Sequence, residues 1–166
     1  MGTFATEMIR PARQEDRPQI MNILRSVGVF SAEEIAVAEE VLDAYLEFHE
    51  ESGYWIYSSV DEHGALKGYI CVGPTAITHG TFDLYWIAVD PSWQSRGVGS
   101  ELLSYAESQI REKGGRLIVI ETSSQPSYEP TRRFYTNHGY SDLARIRDYY
   151  RIGDDLIIYG KYLKEG

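Results

Sequence analysis

A single cysteine, Cys71, stands in the 166-residue sequence, so no internal disulfide can form and the fold must rest on packing. Positive charge is also scarce. Sixteen Lys and Arg face 25 Asp and Glu, a formal net charge of −9, which is the wrong sign for a protein that neutralises duplex phosphates. No apolar run approaches the ~20 residues needed to cross a bilayer, and the first residues lack the charged-then-apolar order of a secretory leader. Met1-Gly2-Thr3-Phe4-Ala5-Thr6 formally matches a myristoylation pattern, but the run into Ile9 reads more simply as a first strand. His49, His63, His79 and His138 are scattered without paired ligand spacing, which argues against a metal site. There is no internal repeat, low-complexity tract or linker. These absences lead us to expect no nucleic-acid, membrane or metal partner, and the cytoplasm as the default compartment.

What is present is an ordinary globular composition, 43% hydrophobic and 25% charged, at a length that suits one domain spanning residues 1–166. Thr6–Ala12 reads as a strand, and Gln14–Val27 carries Ile20, Ile23, Leu24 and Val27 at helical spacing. Ser31 with Glu34 three residues on is a capping-box start for a second helix that ends near Gly53. Tyr54–Val60 and Leu66–Val72, separated by Asp61-Glu62-His63-Gly64, predict a hairpin. Phe82–Val89 is a further strand stopped by Asp90-Pro91. Val98–Lys113 is periodic and helical, and Leu117–Ile120 is a fully apolar strand, so a right-handed crossover should set this strand parallel to the preceding one. A short helix over Thr131–His138 and two strands, Tyr140–Tyr150 and Leu156–Leu163, complete an α/β domain with about seven strands and four helices.

The stretch Leu84-Tyr85-Trp86-Ile87-Ala88-Val89-Asp90-Pro91-Ser92-Trp93-Gln94-Ser95-Arg96-Gly97-Val98-Gly99-Ser100-Glu101-Leu102-Leu103 runs from strand through a glycine-containing turn into a helix. Such a turn aims backbone N–H groups and the positive end of a helix dipole at an anion. It is neither a P-loop nor the dinucleotide fingerprint, since it lacks Gly-Lys-Ser/Thr and a third glycine. Taken alone, Gly-X-Gly is also compatible with an ordinary flexible turn. The whole string resembles the acetyl-CoA signature of the GCN5-related N-acetyltransferase (GNAT) family, and Phe134-Tyr135-Thr136-Asn137-His138-Gly139-Tyr140 resembles that family's Phe-Tyr-X-X-X-Gly-Phe. The resemblance implies a mixed, mostly antiparallel sheet and acetyl-CoA as co-substrate. It further implies that Ile87, Ala88 and Val89 offer backbone groups to the pantetheine arm, while Gln94, Ser95, Arg96, Gly97, Val98, Gly99 and Ser100 hold the pyrophosphate.

The chemistry can be argued from the residues. A protonated amine cannot attack a thioester until a base takes its proton, and the expelled thiolate needs an acid. Glu121, at the end of the apolar strand where ligands approach open α/β sheets, is the candidate base; the alternative is a solvated strand-end carboxylate. It resembles in position the glutamate base of the ribosomal-protein N-terminal acetyltransferases, a branch of the family whose Arg-Asn-Tyr-Tyr stretch Arg145-Ile146-Arg147-Asp148-Tyr149-Tyr150 also resembles. Tyr135 aligns with the family's acid tyrosine; its alternative is a core aromatic. Where relatives often carry asparagine seven residues before that tyrosine, this chain has Tyr128. Cys71 reads as a buried small hydrophobe. Between Ser31 and Glu51 lie eight acids, Glu33, Glu34, Glu39, Glu40, Asp43, Glu47, Glu50 and Glu51, with no Lys or Arg. They form either a solvated face or a wall that attracts a cationic acceptor. The expected reaction is acetyl transfer to a primary amine by direct attack, with a small or cationic acceptor slightly preferred. A protein N-terminus and a non-catalytic acyl-CoA-binding module are the alternatives, and a homodimer stays open.

Overall fold

A computed structural model describes residues 8–163; the myristoylation-like pattern and the first residues of the expected strand Thr6–Ala12 lie outside them. The elements are β1 (Ile9–Pro11), α1 (Arg17–Ser26), α2 (Ala32–Phe48), β2 (Trp55–Val60), β3 (Leu66–Pro74), β4 (Thr81–Val89), α3 (Val98–Glu112), β5 (Leu117–Ser123), α4 (Glu129–Asn137), β6 (Ser141–Arg151) and β7 (Asp154–Tyr162). The order is the expected one. The strands form one sheet, β1-β2-β3-β4-β5-β7-β6. β4 and β5 pair parallel, while β1/β2, β2/β3, β5/β7 and β6/β7 pair antiparallel. The chain divides into two compact units, one running up to Gly73 and including Trp86–Gln109, the other made of Pro74–Tyr85 and the residues from Ile110 onward.

In the first unit, β2 is buried along its whole length and β3 everywhere but Pro74, which is why both read as nearly continuous aromatic and aliphatic runs. Their core packs Ile20, Ile23 and Leu24 of α1 and Ala38, Val41, Leu42 and Tyr45 of α2 against Ile56, Tyr69 and Cys71. The turn between β2 and β3 is closed by the Asp61 carboxylate, which accepts from the His63 and Ala65 amides at 2.8 and 2.9 Å. Ser31 and Glu34 form the predicted reciprocal cap. Two boundaries differ from expectation. Gln14–Asp16 is a 3-10 turn rather than the start of α1, because Pro18 has no N–H to give an α-helix beginning earlier, and the Asp16 carboxylate captures the Arg13 amide at 2.9 Å. α2 stops at Phe48, where His49 takes a φ of 54°, and a 3-10 turn, His49–Ser52, carries the chain to Gly53.

In the second unit, β5 runs three residues beyond its apolar stretch. Glu121, Thr122 and Ser123 pair with Ile158, Ile157 and Leu156 of β7, so the ladder rather than hydropathy sets the strand end. Glu121 therefore lies inside β5 rather than after it. β6 is exposed throughout, and its pairing to β7 shifts register between Ile146 and Arg151. There Asp148 has a φ of 55°, its amide donates to the Asp155 carboxylate at 2.9 Å, and its own carboxylate accepts from Gly153 N–H at 2.8 Å. Such an irregularity turns an edge strand away from further pairing and re-aims its side chains. α4 buries Tyr135 alone.

Candidate functional site

The turn that the sequence singled out sits in the first unit. Asp90 halts β4 and caps the 3-10 turn Pro91–Trp93, its Oδ1 accepting from the Ser92 amide at 2.9 Å and the Ser92 hydroxyl at 2.6 Å. Ser95 and Gly97 then take φ values of 63° and 84°, reversing the chain into α3. The Gly97 carbonyl accepts the Glu101 amide at 3.0 Å, so the Val98 and Gly99 amides lie in the first helical turn, where N–H groups have no intrahelical acceptor. A Cβ placed on Gly97 would meet nothing within 4 Å. Open space over a glycine at a helix N-terminus is what an approaching phosphate requires, so the residues fit a pyrophosphate.

Two cations stack on the Trp93 ring at this turn, one of them beyond what spacing could reveal. Lys67 Nζ lies 5.1 Å and Arg96 Cζ 5.3 Å from the centre of the Trp93 ring, holding positive charge on an indole face. Arg96 was expected at the site; Lys67, on β3, was not. Of the residues expected along the pantetheine arm, Ala88 is buried while Ile87 and Val89 are half-buried. The Val89 carbonyl already accepts the Gln94 side-chain amide at 3.3 Å, so Gln94 turns back on the strand. Ser95 and Arg96 are exposed, Val98 is buried, and Ser100 is half-buried in the first turn of α3.

Glu121 and Tyr135 both belong to the second unit. Glu121 is exposed, although its strand is interior to the sheet. Tyr150, which the sequence marked only as part of the stretch from Arg145 to Tyr150, feels the Glu121 charge. Burial pushes the Tyr150 phenol up to about 12, and the charge of Glu121, the Tyr149 phenol and the Asp154 charge add to the shift. Tyr149 and Tyr150 pack edge to face at 5.0 Å, within the stretch of β6 where its pairing to β7 shifts register. Tyr135 is 3% exposed, with its ring edge-on to Phe134 at 5.2 Å and to Tyr140 at 5.6 Å. Burial drives its phenol well above the ordinary value, so it keeps its proton throughout the neutral range.

The loop after Glu121 is fastened to β7. Ser123 donates from its hydroxyl to Asp154, Thr122 to the Ile157 carbonyl at 2.9 Å, and the Gln125 side chain to Gly153 O at 2.8 Å. Ser124 accepts the Asp155 amide at 2.8 Å and donates its own amide to Asp155 O at 2.9 Å. Elsewhere, Cys71 is fully buried and its thiol is pushed up by burial, the environment of an inert hydrophobe. Among the described residues no group of three His, Cys, Asp or Glu is placed to hold a metal. The acidic helix needs a correction: Arg17 of α1 donates to Glu39 at 2.7 Å and to Asp43 at 2.6 Å. Two of the eight acids between Ser31 and Glu51 are therefore already paired, by a residue 26 positions away from the farther one.

The sequence model of the acetyltransferase (GNAT) family matches residues 17–140. A crystal structure of a GNAT-family protein from Desulfovibrio desulfuricans superposes with a TM-score of 0.89 at 40% identity, covering 93% of this chain and 97% of that one. This chain belongs to the GNAT acetyltransferase family. GNAT members are acetyl-CoA-dependent N-acetyltransferases. The GNAT fold is shared with an aminoglycoside 6'-N-acetyltransferase solved with coenzyme A, at 17% identity and a TM-score of 0.74, covering 95% of this chain and 98% of that one. It is shared equally with the ribosomal-protein-S18-alanine N-acetyltransferase from Escherichia coli, at 19% identity and a TM-score of 0.74, covering 95% and 94%. No curated protein matches the chain.

Proposed function

We propose that this acetyltransferase moves the acetyl group of acetyl-CoA onto a primary amine by direct attack, with a small or cationic amine as acceptor. The amides from Gln94 to Ser100 hold the pyrophosphate, and Ile87, Ala88 and Val89 line the pantetheine arm. Glu121 takes the proton from the ammonium form of the acceptor, directly or through a water, freeing the lone pair that forms the new C–N bond. As the C–S bond breaks, Tyr135 gives its proton to the departing sulfur, the attacking nitrogen loses its second proton and the phenolate takes one up. The amide and free thiol leave while Glu121 returns its proton to solvent. The observation that carries this reading is the contrast between the two groups within one unit: an exposed carboxylate in β5, two residues before the strand ends, and a buried phenol that stays protonated. A silent acyl-CoA-binding module would need neither.

A protein N-terminus is the second reading. It draws on the exposed Tyr149–Tyr150 pair, of which Tyr150 feels the Glu121 charge, on a stretch that resembles the corresponding one of ribosomal-protein acetyltransferases. No helix among the described residues is long and apolar enough to cross a membrane, and a cytoplasmic site of action remains part of the proposal.

A panel of acceptors would test both readings, comprising spermidine, a simple monoamine, an aminoglycoside and an alanyl peptide, with free thiol release from acetyl-CoA as the readout. Acceleration over buffer by any amine supports transfer, and the fastest class names the acceptor. Tight CoA binding with no acceleration by any of them would overturn catalysis.

A further inference from the structure

Helix α4 is nine residues long and buries one side chain, Tyr135. A helix this short is not held by its own hydrogen bonds, so what fixes it decides where Tyr135 points. Its exposed i,i+4 pair, Arg133 to Glu129 at 2.6 Å, contributes little, since solvated surface pairs are worth at most about 1 kcal/mol. Arg132 is different. Its Nη1 donates to two backbone carbonyls outside the helix, Ser123 O at 2.6 Å and Gln125 O at 2.9 Å. Charged donors to carbonyls are among the stronger hydrogen bonds. Ser123 lies two residues past Glu121, and Arg132 lies one turn before Tyr135 on the same helix. The two carbonyls belong to the last residue of β5 and the loop just after it, a segment that β7 and the turn before it already hold through Thr122, Ser123, Ser124 and Gln125. When the bracket is lost, the loop therefore stays in place and the helix is the part that moves.

We infer that Arg132 is a positioning residue that clamps α4 to the strand end carrying Glu121, so that Tyr135 stands in register with the base. The inference rests on the acid role proposed for Tyr135. It predicts that Arg132 contributes to the rate only through that phenol.

The test compares kcat for wild type, Tyr135→Phe, Arg132→Met, Arg132→Lys, Arg133→Met and the double variant Arg132→Met/Tyr135→Phe. The assays use the fastest acceptor of the panel and, in parallel, water as acceptor, read as thioester hydrolysis. Arg132→Met should lower kcat by about 10- to 100-fold, the scale of a misplacement near 1 Å, with KM for acetyl-CoA within about two-fold. Lysine, able to reach a carbonyl with one donor, should restore part of the loss, and Arg133→Met should change nothing. In the double variant kcat should be no lower than in Tyr135→Phe alone, because a clamp with nothing left to position has no further effect. If Arg132→Met does not fold, as judged by its thermal transition, Arg132→Lys in the wild-type and Tyr135→Phe backgrounds carries the same comparison. Losses that multiply in the double variant, or an unchanged kcat in Arg132→Met while Tyr135→Phe is slow, overturn the clamp and leave the acid standing. An unchanged kcat in Tyr135→Phe overturns the acid, and the clamp with it.

Discussion

Glu121 and Cys71 show how far burial decides a side chain's chemistry. An exposed carboxylate can exchange protons with an incoming ammonium, whereas a buried thiol holds its proton and lacks an open path to any electrophile. Replacing Glu121 by Gln removes the proton acceptor without altering size. Activity should then fall at neutral pH by about 10²- to 10⁴-fold and recover as pH rises toward the amine's own pKa, where the acceptor deprotonates unaided. A variant whose pH–rate profile overlays that of wild type would remove Glu121 from the mechanism. Cys71, by the same reasoning, should react with a thiol reagent only as fast as the fold opens. Labelling faster than unfolding would contradict its burial.

At the scale of elements, the 3-10 turn before α1 is tied to β1 and β2 through one carboxylate. Asp16, 2% exposed, receives both Arg10 guanidinium nitrogens at 2.7 and 2.9 Å, the Arg13 amide, and the Ser58 hydroxyl at 2.9 Å. Burial alone would raise its pKa, but the hydrogen bonds from Arg10, Arg13 and Ser58 outweigh burial, and the carboxyl sits below its usual range. Because the folded value is the lower one, this stabilisation is complete above the unfolded value of about 3.9 and is lost as pH falls through the folded value. Asp16→Ala, which leaves Arg10 without its carboxylate, should cost about 3–5 kcal/mol in denaturant unfolding and should flatten the acid limb of the stability curve. A loss under 1 kcal/mol would show the cluster to be incidental. The start of α3 can be probed with little penalty to the fold. Gly97 has a φ of 84°, so any side chain there strains the backbone, whereas Gly99 lies inside α3. Gly99→Val should therefore keep the thermal transition while lowering CoA affinity about ten-fold or more by calorimetry. Unchanged affinity would move the pyrophosphate elsewhere.

For the molecule as a whole, the net charge of −9 is concentrated in and just after α2, although Arg17 neutralises part of that face. Glu39 and Asp43 hold Arg17, and the lowered pKa of Asp43, caused first by its hydrogen bond from that guanidinium, reflects the pairing. Glu40 and Glu47 are the cleaner probes of long-range attraction, since reversing them leaves the Arg17 pairs intact. If the acidic surface draws in the acceptor, kcat/KM for a trication such as spermidine should fall as salt rises toward 0.15 M, where the Debye length is about 8 Å. A singly charged monoamine should respond much less, and Glu40→Lys/Glu47→Lys should mimic the salt effect without altering CoA affinity. Equal salt responses for both acceptors would reduce α2 to a solvated face.

What the sequence determined by itself was everything carried by short-range regularity. Apolar spacing over Ile20 to Val27 and over Val98 to Ile110 marks helices, the buried runs of β2 and β3 mark strands, and Ser31 with Glu34 marks a cap, because each depends on neighbours within a turn or a ladder rung. The glycine turn proposed to hold the pyrophosphate is likewise a continuous string, from Ile87 to Leu103. Tertiary structure alone decided the rest. The extension of β5 through Glu121 depends on β7, whose paired residues lie more than thirty positions away. Arg17 finds Glu39 and Asp43, Asp16 finds Ser58, Lys67 finds Trp93, and Arg132 finds carbonyls across the end of a strand. These are polar partners brought together by packing, and no period along the chain encodes them. Nor does any encode the register shift of β6 between Ile146 and Arg151 or the charge of Glu121 that Tyr150 feels. A residue's type fixes what chemistry it can perform, but its protonation and its partner are properties of the surroundings that only the folded chain assembles.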